Sequence, residues 1–139
     1  MVVDDNTDIL YLTSAILERL IGVPVECFHS PQAALAAFQK APERYEFVIT
    51  DFDMPGMDGE ELCRRLHEID PALKVLLSTG SGIVSDDIVE EWGFCGCLHK
   101  PFPLSQLKTI LVRAGILPKN FFEAEAKVFS PAPAALMVA

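Results

Sequence analysis

Acidic, hydroxyl and amino side chains stand at the ends of short apolar runs in this 139-residue chain. Asp4 and Asp5 follow Met1–Val3, Asp51 follows Phe47–Thr50, Thr79 follows Val75–Ser78, and Lys100-Pro101 follows Gly96–His99. Taken singly, each has a bland explanation, because Asp and Thr commonly cap helices that follow strands. Taken together, they form a chemical set. Two unit charges about 4 Å apart interact by ~4 kcal/mol at an effective dielectric near 20, so three gathered carboxylates must repel one another or take up protons. A hard divalent cation relieves that repulsion, and Mg²⁺ prefers carboxylate and water oxygens. Lys100 adds a positive charge and Thr79 a hydroxyl donor. Metal, ammonium and hydroxyl aimed at one point are what phosphoryl transfer needs, with Asp51 at the centre as nucleophile.

The elements that must position these groups alternate strictly. Met1–Val3, Val25–Phe28, Phe47–Thr50, Val75–Ser78 and Gly96–His99 read as strands. The third is almost continuously apolar, as befits a strand covered on both faces of a parallel sheet. A first helix is predicted from Asn6 or Thr7 to about Leu20, with Ile9, Leu12, Ile16 and Leu20 on its core face and Gly22 and Pro24 ending it. A second follows Ser30-Pro31, where serine caps and proline suits the first turn; Ala34, Leu35 and Phe38 form its core face. The third places Leu62, Leu66 and Ile69 on one side before Asp70-Pro71 breaks it. A short acidic fourth runs from Ser85 to Trp92, and the fifth carries Leu104, Leu107, Ile110 and Leu111. Such alternation implies an α/β fold, a doubly wound five-stranded parallel sheet of flavodoxin-like strand order 2-1-3-4-5. Functional sites in these sheets lie beyond the carboxyl ends of the strands, where the polar set falls on adjacent strands one, three, four and five.

Length and composition narrow the function classes. The chain fits one domain of ordinary size. No apolar stretch approaches the roughly 20 residues that span a bilayer, and no signal-peptide pattern opens it, which predicts a soluble, cytoplasmic protein. Twenty acidic against 11 basic residues give a formal net charge of −9, a surface that repels phosphate backbones and argues against nucleic-acid binding. Cys27, Cys63, Cys95 and Cys97 form no Cys-x-x-Cys pair and read as scattered small core residues rather than a metal or redox centre. Past Leu117 the pattern gives way to Phe121-Phe122-Glu123-Ala124-Glu125 and a Pro- and Ala-rich end. The predicted division is therefore a domain over 1–116 and a helical extension, linker or tail over 117–139.

Four segments carry a family resemblance: Val2-Val3-Asp4-Asp5, Val48-Ile49-Thr50-Asp51-Phe52-Asp53-Met54-Pro55-Gly56-Met57-Asp58-Gly59, Leu77-Ser78-Thr79-Gly80 and His99-Lys100-Pro101-Phe102. Their order and spacing, over about residues 1 to 115, resemble the receiver domains of two-component response regulators and hybrid histidine kinases. The resemblance implies that Asp51 accepts a phosphoryl group from a phosphohistidine of a histidine kinase or histidine phosphotransfer domain. It implies a Mg²⁺ bound directly by Asp5 and Asp51, by Asp4 mainly through water, and by the backbone carbonyl of Asp53. Lys100 would pair with Asp51 at rest and with the phosphoryl group afterwards, across a cis Lys100-Pro101 bond. Thr79 would move to hydrogen-bond the phosphoryl group and carry the change to the fourth helix and fifth strand, a surface that could also serve a phosphorylation-dependent homodimer. The family often has an aromatic ring three residues before the lysine; Cys97 stands there, which puts the usual aromatic readout in question. The tail is too short for an effector domain. Two rival readings are a receiver-like module that works without phosphorylation and a haloacid-dehalogenase-type phosphatase built on Asp51-Phe52-Asp53. The latter leaves Asp4-Asp5 unexplained, so the chain is expected to be a signalling domain and not a turnover enzyme.

Overall fold

Parallel pairing needs each strand to be carried back to the same edge, and the helices between strands do this. In the computed structural model, which describes residues 1–80, 82 and 84–129, the strands are β1 (Val2–Val3), β2 (Cys27–Phe28), β3 (Phe47–Asp51), β4 (Lys74–Thr79) and β5 (Gly96–His99). The helices are α1 (Thr7–Ile21), α2 (Pro31–Lys40), α3 (Gly59–Ile69), α4 (Asp86–Glu91), α5 (Leu104–Arg113) and α6 (Phe121–Phe129). All strand pairs are parallel, in the order β2-β1-β3-β4-β5, as the alternation predicts. β1 and β2 are shorter than expected, at two residues each.

The sheet divides two cores. Val3, Val48, Val75 and Leu77 point to one side, where α2, α3 and α4 supply Phe38, Leu62, Leu66 and Val89. Val2, Ile49, Leu76 and Leu98 point to the other, against Leu10 and Leu17 of α1 and Leu107 and Leu111 of α5. All five residues of β3 are buried, which explains its unbroken apolar run.

Local signals set the helix ends. Asn6 caps α1 by accepting from the N–H groups of Asp8 and Ile9, and Gly22 closes it in the left-handed region at φ 74°. Ser30 accepts from the N–H of Ala33 with Pro31 opening α2. Asp58 accepts from the N–H of Glu61 at the start of α3.

Four expected core positions are corrected: Leu12, Ile69 and Leu104 are exposed, and half-buried Ile9 belongs to neither core. On α1 the buried face is Leu10, Thr13, Ser14 and Leu17, while Leu12 is 63% exposed and Ile16 and Leu20 only flank the core. The helix carries two apolar stripes. The one with small residues at its centre wins because it lets the backbone approach the sheet, and Ser14 Oγ donates to the Tyr11 carbonyl (3.0 Å), so its burial costs little. On α3, Ile69 is exposed and Cys63 is buried in its stead. On α5, Leu104, the first residue of the helix, is exposed, and the buried face is Leu107 and Leu111.

Of the alternatives for the C-terminal segment, residues 121–129 take the helical one. Phe121 packs against the α1/α5 core, and Lys108 pairs with Glu125 and lies over the Phe121 ring. Residues 130–139 of the expected tail lie outside the described residues. No described helix is long and apolar enough to cross a membrane.

Candidate functional site

Strand register brings the polar set to one edge. Val3 pairs with Phe28 and Thr50, Asp51 with Ser78, and Thr79 with His99, so Asp4, Asp51, Thr79 and Lys100 emerge side by side. Two backbone bonds hold the edge: the Asp4 N–H donates to Phe28 O (3.1 Å) and the Lys100 N–H to Thr79 O (2.8 Å). The Lys100-Pro101 peptide is cis, as the resemblance implies.

Carboxylate oxygens of Asp4, Asp5 and Asp51 lie within 4.8 Å of one another. Asp4 and Asp51 are buried, Asp5 is exposed. Lys100 Nζ bridges the two buried ones, 2.7 Å from Asp4 Oδ2 and 3.3 Å from Asp51 Oδ1. The expected Lys100–Asp51 pair is present, but the tighter contact is with Asp4. Asp4 Oδ1 accepts the Asn6 N–H (2.9 Å), so both its oxygens are engaged where α1 begins. Asp51 Oδ1 accepts the Phe52 N–H (2.9 Å), which orients the carboxylate. Burial raises the Asp51 carboxyl above its usual range; Lys100 opposes this and Asp4 adds to it.

Three carboxylates face one ammonium, so the crevice carries surplus negative charge, and its all-oxygen donor set is that of a hard divalent cation such as Mg²⁺. Asp4, Asp5 and Asp51 form the one such group of potential ligands among the described residues. A cavity of about 540 Å³ lies at the opposite edge around Met1, Glu26, Tyr45 and Phe47.

Sequence reasoning gave Gly59 no role of its own. A Cβ there would stand 2.4 Å from the Asp51 carbonyl oxygen and 3.1 Å from Phe52 Cα, and the Gly59 N–H donates to Phe52 O (2.9 Å). The start of α3 is thus pressed onto the backbone that carries Asp51. A glycine at a helix's first position, where helix propensity disfavours it, is the signal that could have found it. Gly80, beside Thr79, has open space around it. Phe52 and Trp92 form a second arrangement not foreseen, their rings stacked at 5.4 Å and 5°.

The cysteines depart in part from scattered core residues. Cys63 is buried, Cys27 and Cys97 are half-buried and Cys95 is exposed. Cys97 packs against the α2/α3/α4 core, and burial, with Asp86 nearby, pushes its thiol up to about 11.

Comparison with known proteins agrees with this geometry. A family model described as the response regulator receiver domain matches residues 1–112. The response regulator receiver protein CpdR of Brucella abortus is 40% identical over 82 residues, 59% of this chain and 65% of that protein, so the chain spans just under two thirds of this relative. A response regulator receiver domain structure from Clostridium thermocellum superposes with a TM-score of 0.73 at 28% identity, covering 81% of this chain and 90% of that one. The chemotaxis protein CheY4 of Vibrio cholerae gives 0.70 at 30% identity, covering 81% and 94%.

Proposed function

The chain belongs to the response regulator receiver family of two-component systems, and on that premise we propose that Asp51 is its phosphoacceptor, served by Lys100, Thr79 and a Mg²⁺ site. The observation that carries this is the convergence of Asp4, Asp5 and Asp51 with Lys100 on one strand edge. An Asp51 carboxylate oxygen attacks the phosphorus of a phosphohistidine. The P–N bond breaks with its electrons returning to the imidazole, and an acyl phosphate forms on Asp51. The carboxylates of Asp4, Asp5 and Asp51 and the backbone carbonyl of Asp53 would hold Mg²⁺, which supplies neutralising charge to the phosphoryl oxygens. Lys100, already anchored by Asp4, needs little movement to pair with the phosphoryl group. Its charge acts where the transition state is most negative. Thr79, fully buried at the end of β4, donates its hydroxyl to the same group and draws β4 toward it.

The donor is a histidine kinase or a histidine phosphotransfer domain, in the cytoplasm. The receiver unit is residues 1–116, with 117–139 as an extension. Output runs through partners that meet α4 and β5, a second copy included. The domain transfers a group once and loses it slowly, so it is not a turnover enzyme. Incubation with acetyl phosphate, with and without EDTA, tests the reading, with the adduct mapped by mass spectrometry. A Mg²⁺-dependent adduct on Asp51 is expected. Equal labelling of Asp51→Asn would sink the assignment, and steady turnover of a generic phosphate ester would favour a phosphatase.

A further inference from the structure

Phe52 is clamped at both ends of its backbone. Its N–H donates to Asp51 Oδ1 (2.9 Å) and its carbonyl accepts from the Gly59 N–H (2.9 Å). Its ring lies parallel to Trp92, with centroids 5.4 Å apart and planes 5° from coplanar. Trp92 ends α4, and its N–H donates to Ile88 O (2.9 Å). Both rings are half-buried against the α2/α3/α4 core. The acceptor carboxylate is therefore one hydrogen bond and one ring contact from the end of α4.

α4 is lightly held. It has six residues, buries one of them, Val89, and starts at Ser85 without a side-chain cap bond. Helices with so few buried contacts reorient at low cost, and the Phe52–Trp92 contact joins Ile88, Val89 and Phe94 in seating its C-terminal end on the core. Ring stacking also depends on offset and angle, which makes the contact responsive to small tilts of Phe52.

We propose that the Phe52–Trp92 stack couples the phosphorylation state of Asp51 to the seating of α4. This rests on Asp51 being the phosphoacceptor. A carboxylate is a strong, charge-assisted acceptor. When one of its oxygens is esterified to phosphorus, the delocalised negative charge leaves the acyl group. The oxygen facing the Phe52 N–H then becomes a weaker acceptor. The Phe52 peptide is released to tilt, and its ring carries the tilt to Trp92.

Trp92 is the single tryptophan of the chain, so its emission reads the contact directly. The test treats wild type, Phe52→Tyr and Phe52→Leu with Mg²⁺ and acetyl phosphate, following Trp92 emission and acrylamide quenching while mass spectrometry scores the Asp51 adduct. Thermal melts confirm that each variant is folded. Wild type and Phe52→Tyr, which keeps the ring, are expected to shift emission and gain quencher access as the adduct forms. Phe52→Leu is expected to form the adduct and lose the optical response. A wild-type adduct with unchanged Trp92 emission would overturn this proposal alone, as would a full response in Phe52→Leu. Absence of the adduct in wild type would overturn the phosphoacceptor reading and this coupling with it.

Discussion

Gly59→Ala tests how tightly the site depends on backbone contact. The added Cβ would stand 2.4 Å from the Asp51 carbonyl oxygen, 3.1 Å from Phe52 Cα and 3.2 Å from the Asp51 carbonyl carbon, all of them backbone atoms. Ordinary contact begins at 3.4 Å, so about 1 Å of separation must come from α3 or from the loop after β3. The Gly59 N–H to Phe52 O bond (2.9 Å) sits at the same junction and is strained by either movement. Overpacking of this kind costs about 1–3 kcal/mol. Alanine's helix propensity returns at most ~1 kcal/mol, so the variant should be less stable by about 1–2 kcal/mol. For a domain of this size that lowers Tm by about 3–8 °C. The chemistry should suffer more, because a misplacement of about 1 Å can cost roughly 10²-fold in rate. Asp51 labelling by acetyl phosphate, timed by mass spectrometry, and a thermal melt measure the two effects. Gly80→Ala is the matched control: it lies beside the same site with nothing near its Cβ position and no positive φ, so it should melt and label like wild type. A Gly59→Ala protein with wild-type Tm and labelling rate would refute the contact argument.

Lys100→Ala leaves Asp4 and Asp51 buried without their shared cation, which should cost about 3 kcal/mol in urea unfolding. Mg²⁺ should recover more stability in this variant than it adds to wild type, and equal gains would count against the charge reasoning. Asp5→Ala should lose most Mg²⁺ affinity by calorimetry, since Asp5 is the exposed carboxylate that no described side chain holds; affinity equal to wild type would mean the ligands are misassigned. Thr79→Ala should still form the Asp51 adduct, while the NMR shifts of β5 on beryllofluoride binding weaken; shifts of full size would remove Thr79 from the switch. Phe121→Ala should destabilise by about 2 kcal/mol, below the cost of a fully buried ring, without slowing Asp51 labelling, because α6 packs on α5 away from the strand edge; a slowed label would tie α6 to the site.

The alternation of apolar runs with 3.6-period segments was enough to determine the parallel sheet, its order and the edge where Asp4, Asp51, Thr79 and Lys100 meet. That information is local and periodic: a strand ending in Asp51 has one carboxyl end, and right-handed crossovers leave few ways to arrange it. The Ser30 cap and the start of α1 at Asn6 were legible for the same reason, since both side chains act on N–H groups two or three residues ahead; the Asp58 cap of α3 was not read from the sequence. What the chain's periodicity left undecided involves two distant segments at once. Which stripe of α1 is buried depended on how closely the helix could approach the sheet, and Thr13 and Ser14 outcompeted the larger Ile9, Leu12, Ile16 and Leu20 set. The helical fate of residues 121–129 depended on Phe121 finding a core and Glu125 finding Lys108. Lys100's preference for Asp4 over Asp51, the close seat of Gly59 and the stacking of Phe52 on Trp92 are distances between elements far apart in sequence. Spacing along a chain does not encode them; only packing at contact distance does, because both the attraction of charges and the repulsion of overlapping atoms change steeply over the last ångström.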